Sequence, residues 1–153
     1  MTRLTDPYKK IESPQNVVVP ETPSYDNYLV GFEREDNCVE MNLIMKDGQR
    51  STYKLSNAQS YTYMIPEQTL LNIRFIRIFY ENSGNNSNCL GLQFLNEHKK
   101  VTVESNSTYF DNPAVKFLLV KLEEEERIVG FRARQEGYKG LLKDLQFVIG
   151  KLV

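Results

Sequence analysis

The sequence predicts an all-β domain, because apolar and polar residues alternate through most of it and one unit of strand, polar loop and strand occurs three times. The three copies occupy residues 28–48, 75–97 and 126–150. A period of two places every second side chain on the same face of a strand, so one face of each strand is expected to be buried. No segment has the spacing of apolar residues that is typical of a helix.

The three copies align on residues of one type. Their first strands align on three aliphatic residues, Leu29, Ile76 and Ile128, and their second strands on three leucines, Leu43, Leu92 and Leu145. In the third copy, Val129, Phe131, Leu145 and Phe147 are expected to face inward. The connections "EREDN", "ENSGNNSN" and "RQEGYKG" are polar and suit hairpin turns. Three copies of up to four strands predict one of two closed architectures, a three-sheet β-prism or a β-trefoil.

Residues 1–24 predict an extended arm ahead of a β domain over residues 25–153. Four of the six prolines lie in this arm, and proline removes a backbone donor and fixes extended local geometry. Its one apolar run is Val17, Val18 and Val19, which can add an edge strand to a sheet. We expect the arm to dock on its own domain or on a partner, the alternative being a partly disordered tail, and we expect residues 1–15 not to be needed for the core.

Composition and charge argue against several classes of function. The chain of 153 residues has 19 basic and 20 acidic residues, a formal net charge of -1, so no clustered positive charge predicts a nucleic acid partner. No apolar run approaches the roughly 18 residues of a membrane span, and the start "MTRLTDPYKKIESPQ" lacks the apolar region of a secretion signal. We therefore expect no membrane partner and a cytoplasmic location.

The residues that most often carry chemistry are few. Cys38 and Cys89 lack a metal-binding or redox spacing and are expected to be free thiols. The single histidine, His98, lies in the charged segment "NEHKK" and is expected to be solvated in a turn. We therefore expect no catalytic residues, no metal site and no cofactor, and interpret the protein as not an enzyme.

Several segments resemble the jacalin-related lectin family. "ERIVGFRARQEGY" followed by "LKDLQFVIG" resembles the end of such a domain, "VEMNLIMKDG" resembles an early strand with its turn, and "CLGLQFLNE" resembles the central strand. Together these matches cover residues 28–150. The resemblance implies a jacalin-like β-prism, with three four-stranded sheets around a pseudo-threefold axis.

The resemblance also implies a candidate sugar site just before the last strand. The family binds carbohydrate through a Gly-x-x-x-Asp loop, which here is similar to "GLLKD", from Gly140 to Asp144, with Gly137 and Tyr138 just upstream. When the last strands are aligned, however, the family's aspartate falls nearer Leu142 or Lys143. Alternation also places Asp144 in the last strand, so the sequence favours a site without a sugar pocket, and carbohydrate binding is the alternative function.

The main prediction is a non-enzymatic protein-interaction or structural subunit of a larger assembly, such as a cytoskeletal one. Two strands, at residues 72–80 and 115–122, are apolar on both faces, which predicts an outward apolar strip. The residues expected in this strip are Ile76, Ile78, Tyr80, Leu118, Val120 and Leu122. A protein partner or the chain's own arm would cover it. Two basic residues, Arg132 and Arg134, are expected on a partner-binding basic side, opposite an acidic first copy.

Overall fold

The structure is a computed structural model that describes residues 2–5, 17–35, 41–51, 60–83, 86–105, 110–135 and 142–151. These residues contain eleven strands and one short helix. In chain order the elements are β1 (Thr2–Leu4), β2 (Val17–Val19), β3 (Leu29–Glu35), β4 (Met41–Met45), β5 (Ser60–Met64), α1 (Glu67–Leu71), β6 (Phe75–Ser83), β7 (Asn86–Leu95), β8 (Val101–Glu104), β9 (Lys116–Lys121), β10 (Glu126–Gln135) and β11 (Leu142–Lys151).

Three antiparallel hairpins correspond to the three copies seen in the sequence: β3 with β4, β6 with β7, and β10 with β11. A third strand pairs with the first strand of each hairpin, namely β5 on β3, β9 on β6 and β2 on β10. On the other side, β8 pairs with β7, β1 pairs with β11, and a single bridge joins Arg50 to Ile44 in β4. The predicted threefold repetition is therefore confirmed.

The pairing corrects one part of the predicted alignment. Equivalent cross-strand partners in the three hairpins are Phe32 with Leu43, Ile78 with Leu92, and Phe131 with Phe147. In the third copy the equivalent of Leu43 and Leu92 is thus Phe147 rather than Leu145. The letters "LQF" occur in both the second and the third copy, and they align Leu92 with Leu145. The backbone pairing, which determines equivalence, instead matches Leu92 with Phe147, two residues further along β11.

The sequence "VGF" marks the same irregularity in two copies. A register shift places an extra residue at Val30 in β3 and at Val129 in β10, which is the signature of a β-bulge. The bulge in β10 brings Ile128 into the core together with Phe131. Val129 is fully buried, as expected, although it lies beside Gly150 and outside the main core cluster.

The glycine of each "VGF" makes room for the third strand of its sheet. A Cβ atom on Gly130 would lie 2.7 Å from the backbone carbonyl oxygen of Val19 in β2, and one on Gly31 would collide with the carbonyl oxygen of Tyr63 in β5. Real Cβ atoms do not approach so closely, and a backbone oxygen cannot swing aside as a side chain can. These two glycines therefore admit β2 and β5 to their sheets.

The predicted apolar strip lies in the core. Five of its six members are buried and the sixth is partly buried against the core: Ile76, Ile78, Tyr80, Val120 and Leu122, with Leu118 the partly buried one. The prediction of an exposed strip was therefore wrong. The outward face of β9 instead carries Phe117 and Leu119, which are 48% and 41% exposed. The two faces of these strands were correctly distinguished, but the face predicted to point outward points inward.

The described parts of the arm pair with the hairpin of β10 and β11. Val19 lies opposite Phe131 and Val17 opposite Ala133, so the predicted edge strand is confirmed. Thr2 lies opposite Gly150 in β11, and Thr5 donates its backbone N–H to the carbonyl oxygen of Phe147 at 2.8 Å. The described parts of the arm thus dock on their own domain but not over the predicted strip, and residues 2–5 are bound to the sheet. That residues 1–15 are not needed for the core stays a prediction.

The residues expected to lack chemistry have ordinary environments where they are described. His98 lies in a turn with its side chain 80% exposed, which confirms the expected solvation. Cys89 is a free, buried thiol, whereas Cys38 lies outside the described residues. Among the described residues, no group of three or more His, Cys, Asp or Glu side chains is placed to hold a metal ion, and no helix has the length and apolar character needed to cross a membrane.

Candidate binding site

The candidate sugar site lies where the hairpin of β10 and β11 turns. Of its four predicted residues, Gly137, Tyr138 and Gly140 lie outside the described residues, while Asp144 is described and belongs to β11. The first described residue after the turn, Leu142, is buried and belongs to the core cluster. It therefore packs inside the domain rather than on the surface of the candidate site.

A bulge in β11 fixes the position of Asp144. The partners of Arg132 and Arg134 in β10 are Gln146 and Lys143, so three steps along β11 match two along β10. Asp144 has φ of 55°, in the left-handed region that aspartate tolerates better than most residues. The bulge explains why Asp144 and Leu145 are both buried although they are neighbours in one strand.

The carboxylate of Asp144 is bound inside the protein. Its Oδ1 accepts a hydrogen bond from the backbone N–H of Ser87 at 2.9 Å. Its Oδ2 accepts from Nε of Arg134 at 3.2 Å and lies 3.2 Å from Nη2 of the same guanidinium. The side chain of Asp144 is only 3% exposed and that of Arg134 14% exposed. The pair thus ties the foot of the turn to β7 and β10.

Two residues that the sequence analysis did not single out complete a polar cluster here. Ser87 and Asn88 lie in β7, and among the described residues the pair of Asn88 with Lys143 joins β7 to β11. The side-chain oxygen of Asn88 is buried and accepts no hydrogen bond from the described residues. We call Arg134, Asp144, Ser87, Asn88 and Lys143 the polar cluster. The only sequence signal for Ser87 and Asn88 was the polar run "NNSN" between two strands.

The predicted partner-binding residues are not brought together. Arg134 belongs to the polar cluster and is paired with Asp144, whereas Arg132 is half-buried in β10, between Val18 and Gln146. Val18 is 42% exposed on the edge strand β2, and Val19 beside it is buried. Five residues of the predicted strip are buried and Leu118 is partly buried, so among the described residues the strip forms no exposed surface with Val18 or the two arginines.

No protein-family model matches the sequence, and no curated protein sequence does. Solved structures, in contrast, match nearly the whole chain. A single-chain recombinant jacalin superposes with a TM-score of 0.59 at 13% sequence identity, over 99% of this chain and 95% of the jacalin chain. Calystegia sepium agglutinin gives a TM-score of 0.58 at 10% identity, over 99% of this chain and 98% of the agglutinin.

A third match comes from a bacterial protein. The second β-prism domain of RbmC from V. cholerae, in a structure bound to N-acetylglucosaminyl-β-1,2-mannose, gives a TM-score of 0.51 at 12% identity, over 96% of this chain and 98% of that chain. The chain therefore has the jacalin-like β-prism fold. The prediction from the three copies is confirmed, and the β-trefoil alternative is not needed.

Proposed function

We propose that this protein is a non-enzymatic carbohydrate-binding module that binds sugar at the turn between β10 and β11. The observation that carries the proposal is the anchored carboxylate of Asp144 at the foot of that turn. A protein of similar fold also supports it, since the structure of the RbmC β-prism domain contains a bound disaccharide. The proposal assigns Gly137, Tyr138 and Gly140 to the sugar contacts and Asp144 to holding the turn in place.

Sugar recognition depends on fixed polar groups and an aromatic face. A sugar hydroxyl both donates and accepts, so a rigid array of donors and acceptors discriminates between sugars. In the polar cluster the side-chain oxygen of Asn88 has no hydrogen-bond partner among the described residues, but it is buried, so the sugar contacts are assigned to the residues of the turn. Tyr138 supplies an aromatic ring of the kind that packs on the apolar face of a sugar, with a hydroxyl for a further hydrogen bond. Asp144 is a positioning residue because its carboxylate is already bound.

A glycan array followed by titration calorimetry tests the proposal. We expect the wild-type protein to bind at least one simple glycan saturably, and Tyr138→Ala to lose that binding with an unchanged melting temperature. Tyr61→Ala is the matched control, because Tyr61 is an exposed tyrosine on β5, in the first sheet. Wild-type protein that binds no glycan at millimolar concentration would overturn the proposal, and equal loss in both tyrosine variants would move the site away from this turn.

A second candidate function is a protein-interaction or structural subunit, and the outward face of β6 and β9 favours it. Phe117 and Leu119 are exposed there, the ring of Phe79 lies 5.4 Å from that of Phe117, and the guanidinium of Arg77 lies 5.1 Å from the Phe117 ring. Exposed aromatic and aliphatic side chains grouped around an arginine are typical of interface centres. Val18 and Arg132 remain candidate partner contacts in this second function.

The second candidate is tested by replacing the two exposed residues. Wild-type protein and the Phe117→Ser, Leu119→Ser double variant are used as baits, and each captured protein is then purified and titrated against both baits. A purified protein that binds the wild type and binds the variant at least about tenfold more weakly supports an interaction through this face. Equal affinity for both baits excludes it.

A further inference from the structure

A pocket opens at the end of the prism away from the candidate sugar site. The three hairpins begin at this end, with β3, β6 and β10, and their turns lie at the other. The pocket has a volume of about 70 Å³ and lies between α1 and the turn that leads into β3. Its floor is built from core side chains of several elements: Leu29, Ile65, Ile73, Phe94, Leu122 and Ile128. We call it the end pocket.

The floor of the end pocket selects an apolar group. All six floor side chains are hydrocarbon, so a polar group placed there would lose its hydrogen bonds to water without gaining others. An apolar cavity of about 150 Å³ holds benzene, so about half that volume suits the branched end of a valine, leucine or isoleucine side chain. The pocket thus has the size and chemistry for one aliphatic side chain.

One side of the rim is held rigid by an arginine between two aromatic rings. The guanidinium of Arg127 lies 4.3 Å from the ring centroid of Tyr25 and 4.4 Å from that of Tyr28. Its Nη1 also donates a hydrogen bond to the backbone oxygen of Tyr25 at 3.2 Å. Because Arg127 already occupies a face of each ring, these tyrosines are poorly placed to stack on a sugar. The stacked side chains also hold this side of the rim in place before a ligand binds.

The other side of the rim carries negative charge without a partner. The exposed carboxylates of Glu67 and Glu124 make no hydrogen bond or ion pair with the described part of the chain. Glu126 differs, because its Oε1 accepts from Arg3 at 3.0 Å and from the backbone N–H of Glu123 at 2.7 Å. The rim therefore combines two unpaired carboxylates with an arginine that is held by aromatic rings, and it favours a positively charged occupant.

We propose that the end pocket binds a segment of a partner protein that inserts one aliphatic side chain and places lysine or arginine next to it. The apolar floor selects the aliphatic side chain of the partner segment, and Glu67 and Glu124 select positively charged residues on either side of it. The site is separate from the candidate sugar site, so its test does not depend on whether the protein binds carbohydrate.

Three synthetic pentapeptides with blocked ends probe the pocket, and binding is followed by the NMR methyl signals of Leu122 and Ile128. We expect the peptide Gly-Lys-Leu-Lys-Gly to shift these signals saturably. The peptides Gly-Lys-Ser-Lys-Gly, which lacks the anchor, and Gly-Glu-Leu-Glu-Gly, which reverses the charge, should bind at least about tenfold more weakly. Raising the salt from about 50 to about 300 mM should weaken the first peptide, because rim charges are screened.

Charge variants of the rim provide the second arm of the test. The Glu67→Gln, Glu124→Gln double variant should weaken the Lys-Leu-Lys peptide about three- to tenfold without changing the melting temperature. Glu81→Gln is the matched control, since Glu81 is an exposed carboxylate near the opposite end of β6. The proposal is overturned if the Lys-Leu-Lys peptide leaves the two methyl signals unmoved at about 10 mM, or if the Glu-Leu-Glu peptide binds equally well.

Discussion

Arg134 in β10 and Asp144 in β11 form an ion pair that lies across a bulge rather than between directly opposed residues. The partner of Arg134 in the ladder is Lys143, and the extra residue in β11 turns the Asp144 carboxylate back toward the guanidinium at 3.2 Å. The same carboxylate accepts a hydrogen bond from the backbone N–H of Ser87, so one side chain links the three neighbouring strands β10, β11 and β7. The local backbone and the ion pair therefore depend on each other.

Asp144→Ala should lower the free energy of unfolding by about 3 kcal/mol, because it leaves the largely buried guanidinium of Arg134 without its counter-ion and the Ser87 N–H without its acceptor. Urea denaturation monitored by circular dichroism measures the change. Asp144→Asn is the matched control: it retains an acceptor and a residue type suited to positive φ, and should cost about half as much. A loss below about 1 kcal/mol for Asp144→Ala would show that the pair contributes little.

Gly130→Ala should destabilise the third sheet by about 1 to 3 kcal/mol, since its Cβ would meet the carbonyl oxygen of Val19 at 2.7 Å. Hydrogen exchange should locate the effect, with faster exchange of the amides that join β2 to β10. Gly48→Asn is the control: Gly48 has open space around it, so any cost there comes from its φ of 92° and should leave exchange in β2 unchanged. Unchanged exchange in β2 would mean that the strand does not pass as close to Gly130 as the structure shows.

Removing residues 2–5 should lower the free energy of unfolding by about 2 to 4 kcal/mol. The deletion removes the bonds between Thr5 and the backbone of Phe147, including one from the Phe147 N–H to Thr5 Oγ1 at 2.7 Å, and the ion pair of Arg3 with Glu126 at 3.0 Å. Thermal and urea unfolding of the two chains give the difference. Arg3→Ala alone should cost less than about 1 kcal/mol, because Arg3 is exposed. Equal stability of the full and shortened chains would restore the expectation that this part of the arm is dispensable.

Cys89 should make stability fall at high pH. Burial raises the pKa of its thiol from 9.0 to about 12. In the unfolded chain the thiol ionises above about pH 9, whereas in the folded chain it stays protonated. The contribution of Cys89 to the free energy of unfolding is therefore complete below pH 9 and is lost as the pH rises toward 12. Between pH 9 and pH 10 the wild type should lose up to about 1.4 kcal/mol relative to Cys89→Ala. A difference between the two proteins that does not vary with pH would contradict the burial of this thiol.

The sequence was sufficient for the fold because the repeated unit and the period of two are properties of single strands. The inward face of β6 and β9 was misassigned because both faces of these strands are apolar. A weaker signal was present: Arg77 and Lys121 alternate with Ile76 and Leu122, and a charged residue marks the face that meets water. Arg77 and Lys121 therefore mark the outward face, which leaves Ile76 and Leu122 on the inward one.

The candidate site was less predictable because its parts come from separate segments. The position of Asp144 in the last strand was predicted, but its bulge depends on the pairing of β11 with β10, which the period of two does not encode. The contact of Asp144 with Ser87 joins residues 57 positions apart. The end pocket likewise gathers side chains from many elements, and no motif connects them in the sequence.

Pairing of β1 and β2 with the last two strands affects how the chain matures on the ribosome. Translation produces β1 and β2 well before their partners β11 and β10, with Thr2 opposite Gly150. During synthesis the first two sheets can form from neighbouring segments, while the opening strands have no partner to pair with. Contacts between such distant residues form slowly because a long loop must close. The nascent protein therefore carries two open β edges until β10 and β11 emerge, and that interval is when chaperone binding would protect it most.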